Sequence, residues 1–254
     1  MKCSKKLGFT LVETLMAIVI GVISVAALFY SYQFFNKSYQ GILDKASISR
    51  SGREVLRMIA RDLRNAGYKD VNYTRASWIL TIGVKNKKYG KYGQADQLYI
   101  WYNTSPTDRI RIVYRVERNK KNIDEYYLSK EVTMNPQFGD AQIVSDNDLL
   151  VNHVTDFQVV LRDRDGKELV PVCFYCGSIE FAQGGKPLAM ENMSRVHTAE
   201  VHLTLRSPNE IYKKERTVKI VNHVQPYGFE QTIKDRYHRE TFFVSVHTRN
   251  LAKN

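Results

Sequence analysis

The chain is poor in the residues from which most catalytic and metal sites are built. Its 254 residues include three cysteines, six histidines and two tryptophans. No second Cys pair stands beside Cys173 and Cys176, so a four-thiolate zinc site cannot be completed. The histidines (His153, His197, His202, His223, His238 and His247) are scattered. The odd spacing of His197 and His202 would set them on opposite sides of a regular strand. There is no His-Glu-x-x-His, no nucleophile elbow and no phosphate-cradling glycine loop. Asp163-Arg164-Asp165-Gly166 looks like part of a calcium loop. Leu161 and Val172 stand where an EF-hand needs an earlier acid and its closing Glu, so a hairpin tip is the better reading. No cofactor, metal or catalytic residue is expected. A membrane-tethered hydrolase is the competing enzyme class.

Charge is missing from one long stretch. Thr14 to Phe35 is 22 residues without a charged side chain. As a helix at about 1.5 Å per residue it is about 33 Å long, enough to cross a bilayer core of about 30 Å. Lys2, Lys5 and Lys6 precede it, on the side that stays cytoplasmic. Glu13 stands at its very start. A carboxylate costs about 2.5–3.5 kcal/mol at mid-bilayer and less near an interface, so an acid here needs a partner. A cleaved signal peptide fits poorly, because Gly8 comes before the apolar run and not after it. A plain signal anchor accounts for the lysines but leaves Gly8 and Glu13 unexplained.

Gly8-Phe9-Thr10-Leu11-Val12-Glu13 closely resembles the processing site of type IV prepilins and type II secretion pseudopilins. The resemblance implies that residues 1–8 are a leader, cut after Gly8 by a prepilin peptidase that also methylates the new amine of Phe9. It makes Glu13, fifth in the mature chain, the assembly carboxylate. Its charge could then be matched by the Phe9 amine of its own or a neighbouring chain, an attraction strengthened where water is excluded. Burying one charge without the other is costly, so such a pair would reward correct register.

The cysteines fit a compartment beyond the membrane. Cys3 lies in the leader, and Cys173-Phe174-Tyr175-Cys176 remains. Oxidising surroundings favour a disulfide there. Two free thiols, a redox pair and a zinc half-site are the alternatives. The formal charge is +12, of which the leader lysines carry three, leaving +9. A basic balance suits an ordinary secreted domain or a polyanion partner.

The apolar segment reads as the first part of one helix over residues 9–66, with the membrane part at about 14–35. Leu56, Ile59, Ala60 and Leu63 follow the spacing of one apolar face, and Arg50, Arg53, Arg57, Arg61 and Arg64 fill much of the rest. Gly41 and Gly52 each weaken a helix by about 1 kcal/mol relative to Ala. Ala66-Gly67 is the expected stop, with Gly67 in the left-handed cap conformation.

Beyond Gly67 the pattern turns to period two. Strand candidates are Trp78–Ile82, Leu98–Tyr102, Arg109–Val116, the stretch around Phe157–Leu161, Ala199–Leu205, Thr217–Val224 and Phe242–Val246. The alternation predicts antiparallel sheets with one wet face. The expected fold class is α+β: a long N-terminal helix, then a β-rich domain over residues 67–254. Lys85 to Gly93 reads as a solvated loop. Its Lys87, Lys88, Tyr89, Lys91 and Tyr92 would also suit backbone contacts and base stacking on single-stranded nucleic acid, the less favoured reading.

Asp62-Leu63-Arg64-Asn65-Ala66-Gly67-Tyr68 and the ending Phe242 to Asn250 resemble the corresponding parts of PilW-like minor pilins. GspJ-type pseudopilins share the architecture. The resemblance implies a minor pilin that helps to initiate, prime or cap a type IV pilus. The alternatives are a minor pseudopilin of a type II secretion system and a DNA-uptake pilin. Implied partners are the prepilin peptidase/methyltransferase, other minor and major pilins, the inner-membrane assembly platform, and lipid before assembly. The implied location is a single pass through the bacterial inner membrane, N-terminus cytoplasmic, with exposure at the cell surface once in a pilus.

Overall fold

A computed structural model describes residues 10–69, 82–89, 93–119, 125–135, 141–169, 196–221 and 230–250. One helix, α1 (Leu11–Asn65), is followed by strands only. The chain forms two compact units, Met1–Lys45 and Ala46–Asn254.

In the first unit α1 is unclothed. Every residue from Thr10 to Gln40 is exposed, including Leu15, Ile18, Val22, Val25 and Phe29. In the second unit the helix has one buried face, formed by Ile48, Gly52, Val55, Leu56, Ile59, Ala60, Asp62 and Leu63. The five arginines expected opposite that face are exposed. Ile59 and Leu63 are completely buried, and cutting such a side chain to Ala typically costs about 2–5 kcal/mol. Gly52, a weak point by helix propensity, is required by packing. A Cβ there would lie 2.4 Å from the buried ring of Phe242. The helix stops where expected, with Gly67 at φ 72° and Ala66 N–H donating to Leu63 O.

The first sheet is a five-stranded antiparallel meander of β1 (Ile82–Tyr89), β2 (Gly93–Asn103), β3 (Arg109–Arg118), β4 (Tyr126–Met134) and β5 (Gln142–Asn152). The second has four strands in the order β11-β8-β6-β7: β6 (Val154–Arg162), β7 (Glu168–Leu169), β8 (Thr198–Glu210) and β11 (Tyr237–His247). β9 (Arg216–Val221) and β10 (Glu230–Asp235) form a separate ribbon. A single residue, His153, carries the chain from β5 to β6, held in the left-handed region at φ 61°. The Asp165-Gly166 hairpin forms as expected. Gly166 has φ 77°, and the carboxylate of Asp163 accepts from Asp165 N–H and Lys167 N–H.

Three readings of the sequence need revision. The run from Lys85 to Tyr89 is not a loop: it is the end of β1, paired with Gly93–Gln97. β4, β5 and β10 do not stand out in the sequence. In β4 the partly buried Lys130 interrupts the apolar alternation, and in β5 the Asp-Asn-Asp run breaks any apolar pattern. The arginine face of β3 is also only partly exposed. Arg111 Nη2 lies 2.8 Å from Glu131, Arg115 Nη2 3.0 Å from the same carboxylate, and Arg115 Nε 2.6 Å from Glu117. Tyr99 and Trp101 stack beside them on β2, ring centroids 5.7 Å apart. Of the expected first strand, Trp78 to Thr81 lies outside the described residues.

The two sheets meet at a buried acid. Asp96 on β2 accepts the Val159 N–H of β6 at 2.7 Å. Burial raises its pKa to about 8, the hydrogen bond opposes this, and the charge of nearby Asp156 adds to it. Asp156 is itself raised to about 7, chiefly by burial. An unfolded Asp titrates near 3.9. Between about pH 4 and 8 the folded chain therefore holds a proton at Asp96 that the unfolded chain has lost. The sign follows: Asp96 lowers stability as pH rises through that window, by up to about 1.4 kcal/mol per pH unit. Asp96→Asn should remove this slope. Unfolding of the detergent-solubilised chain should show the variant gaining on the wild type from pH 5 to about pH 8; parallel stability curves would refute the assignment.

Candidate functional site

The start of α1 is built by a capping box. Four amide groups at a helix N-terminus lack intrahelical acceptors. Thr10 and Glu13 satisfy two of them reciprocally: Glu13 N–H donates to Thr10 Oγ1 at 3.3 Å, and Thr10 N–H donates to Glu13 Oε2 at 3.0 Å. Thr10 Oγ1 also donates to Glu13 Oε2, at 3.1 Å. The Thr-x-x-Glu spacing is the sequence signature of such a cap. The carboxylate therefore folds back toward the chain start, where the helix dipole favours negative charge. Gly8 and Phe9 lie outside the described residues, as do Cys173 and Cys176.

From Glu13 onward the site is an apolar cylinder. The helix is long and apolar enough to cross a membrane. Helices apolar all round are ordinarily buried in protein or lipid. Among the described residues of Met1–Lys45, nothing covers Leu11, Met16, Ile20, Ile23 or Leu28.

The far half of α1 is anchored by a buried ionic group that sequence reading missed. Asp62 is buried on the helix face that meets the first sheet. Tyr114 on β3 donates its hydroxyl proton to Asp62 Oδ2 at 2.5 Å, and Lys130 on β4 reaches the same oxygen at 2.7 Å. Arg61 Nε lies 3.5 Å from the other oxygen. Burial, then the charge of Asp62, pushes the Tyr114 phenol far above its ordinary range, so it stays a donor. The helix end is tied as well. Asn250 Nδ2 donates to Arg64 O, one of the carbonyls the last turn leaves open, and Gly67 N–H donates to Trp101 O. The Arg-Asn ending noticed in the sequence thus supplies a cap to the helix.

Of the lysine–tyrosine run, Lys87, Lys88 and Tyr89 are in β1, while Lys91 and Tyr92 lie outside the described residues. Among the described residues, no group of three or more His, Cys, Asp and Glu side chains is placed to hold a metal ion.

Comparison with known proteins agrees with this geometry. Residues 3–29 match the prokaryotic N-terminal methylation motif. No curated protein sequence matches the chain. A type IV-like pilin from Thermus thermophilus is similar in structure, with a TM-score of 0.50 at 14% identity. The match covers 81% of this chain and 97% of the other. The chain thus combines a pilin-like fold, a long apolar helix followed by an antiparallel β domain, with a start that matches the N-terminal methylation motif.

Proposed function

We propose that the chain is a non-enzymatic minor pilin that helps to initiate, prime or cap a type IV pilus, and that it is matured by cleavage after Gly8 and methylation of Phe9. The observation that carries this reading is the Thr10–Glu13 capping box at the head of an uncovered apolar helix. It holds a carboxylate beside the point where a cut after Gly8 would create a cationic amine. The amine and the carboxylate would then form the pair that sets axial register between neighbouring helices. Before assembly the same helix would sit in the inner membrane, with the β domain beyond it. A minor pseudopilin of a type II secretion system is the second reading, since the shared architecture favours neither machine.

Cleavage is tested by Gly8→Val, which should leave membrane insertion intact and block processing. N-terminal sequencing of the wild type should read methyl-Phe, Thr, Leu, Val, Glu. A mature chain that begins at Met1, or far inside the apolar helix, would end the prepilin reading.

Glu13 separates two roles. Gln also serves in a capping box. Glu13→Gln should therefore keep the helix start but fail to neutralise the amine, while Glu13→Ala should lose both. Both variants should insert and be cleaved, and both should lose co-purification with partner pilins. If Glu13→Gln assembles like the wild type, the carboxylate acts as a cap and not as a charge partner.

Cys173 and Cys176 are proposed to form a disulfide in the domain beyond the membrane, on the strength of the compartment. A bridge closing so short a loop should stabilise only modestly. Unreduced, alkylated peptides read by mass spectrometry should show the bridge; both thiols alkylated without prior reduction would exclude it.

A further inference from the structure

Two histidines far apart in sequence meet at one end of the second sheet. His197 immediately precedes β8 and His247 ends β11. The backbone under the first ring is fixed from both sides. His197 N–H donates to Arg162 O at 2.8 Å, and its carbonyl accepts from Thr248 N–H at 2.9 Å and from Thr248 Oγ1 at 3.1 Å. Thr248 is completely buried, and its hydroxyl also reaches Val196 O at 2.7 Å. Strand pairing sets His247 opposite Thr198. The two rings then meet edge to face, centroids 4.1 Å apart, with their Nε2 atoms 2.9 Å apart on the exposed side of the sheet.

The two Nε2 atoms lie within hydrogen-bond distance, and which of them donates depends on the tautomer. A metal ion could take both lone pairs. We propose that His197 and His247 form a two-imidazole site for one divalent transition-metal ion, bound through both Nε2 atoms with water completing its coordination. Imidazole nitrogens bind such ions at about 2.0–2.1 Å, so nitrogens held as close as these subtend roughly 90° at the ion. That is the angle between neighbouring ligands of a square-planar or octahedral ion, the geometry of Cu²⁺ and Ni²⁺. Tetrahedral Zn²⁺ would need the nitrogens about 3.3 Å apart and therefore a shift of one ring. The preferred order is Cu²⁺ over Ni²⁺ over Zn²⁺. Among the described residues no third His, Cys, Asp or Glu joins the pair, so the affinity belongs to two protein ligands and not to a closed structural site. The ion would clamp the start of β8 to the end of β11 and stabilise the fold by binding only the folded form.

The experiment is a calorimetric titration of Ni²⁺ into the untagged, detergent-solubilised full chain. One ion per chain is expected. His197→Gln and His247→Gln should each weaken binding at least about tenfold, since each removes one of two ligands. His202→Gln, on the same sheet but outside the pair, should bind as the wild type does. The melting temperature should rise with Ni²⁺ in the wild type and in His202→Gln, and not in the other two. Melting without metal identifies a variant that has not folded, and His247→Gln, at an exposed strand end, gives the second reading if His197→Gln is lost. No uptake by the wild type at millimolar Ni²⁺, or undiminished uptake by either single variant of the pair, would overturn the proposal.

Discussion

The structure depends on one helix meeting two different surroundings. Up to Phe35 α1 offers mostly apolar side chains all round; from Ile48 it offers a single apolar face. The second part must therefore be fixed to the β domain by contacts specific enough to set its rotation and its depth. Leu56, Ile59 and Leu63 are buried on that face, but apolar burial is non-directional and by itself leaves rotation and depth loosely specified. Asp62 removes that freedom. Its carboxylate is satisfied only where Tyr114 and Lys130 stand, and a buried charge out of reach of its partners costs about 3–5 kcal/mol. Gly52 acts in the same sense by shape, since only a glycine leaves room for the Phe242 ring.

The ends of the chain serve the same constraint. The helix stops at Gly67, whose N–H goes to Trp101 O, and Asn103 N–H goes to Tyr68 O, so the exit from the helix is knitted to β2. Asn250, just past the final strand, returns to cap Arg64 O. Residues 186 positions apart thus close the last turn of α1. At the junction of the sheets, Asp96 satisfies an amide on β6 with a side chain. Polar groups do the orienting and apolar groups supply the bulk, as expected where an unmade buried hydrogen bond costs more than a made one contributes.

What the sequence revealed follows from the range of the interactions. The helix, its apolar face and its stop at Gly67 are local, and so is the alternation in β3, β8 and β11; these were legible. The Asp165-Gly166 hairpin was legible for the same reason. Asp62 read as one more polar residue in a charged helix, because its partners are 52 and 68 positions away. Lys130 broke the apolar alternation of β4 for the same cause, and hid the strand. β5 hid behind Asp146-Asn147-Asp148, which as an exposed edge with an irregular register can keep polar residues, including Asn147 at φ 53°. His197 and His247 look isolated in sequence and touch only because β8 and β11 pair. In the candidate site itself Glu13 stood out as an anomaly, and its present partner, Thr10, is marked only by the three-residue spacing of a capping box.

That partner changes the energetics of the N-terminus. A carboxylate at the head of an apolar helix would be expensive if it waited unpaired for a neighbour. Thr10 makes the wait cheap: the acid accepts two hydrogen bonds and lies at the end of the helix where the dipole is positive. On the proposed reading, assembly then exchanges one satisfied state for another and does not rescue a stranded charge. On that reading lipid already covers the apolar surface between Leu11 and Phe35 before assembly, so the driving force for joining a filament must in that case come mostly from helix–helix packing. The charge pair contributes chiefly register, since it is formed at one axial offset and lost at the others. A capped acid at the head of an uncovered helix is therefore consistent with a subunit that is stable while alone in a membrane and still selective about where it docks.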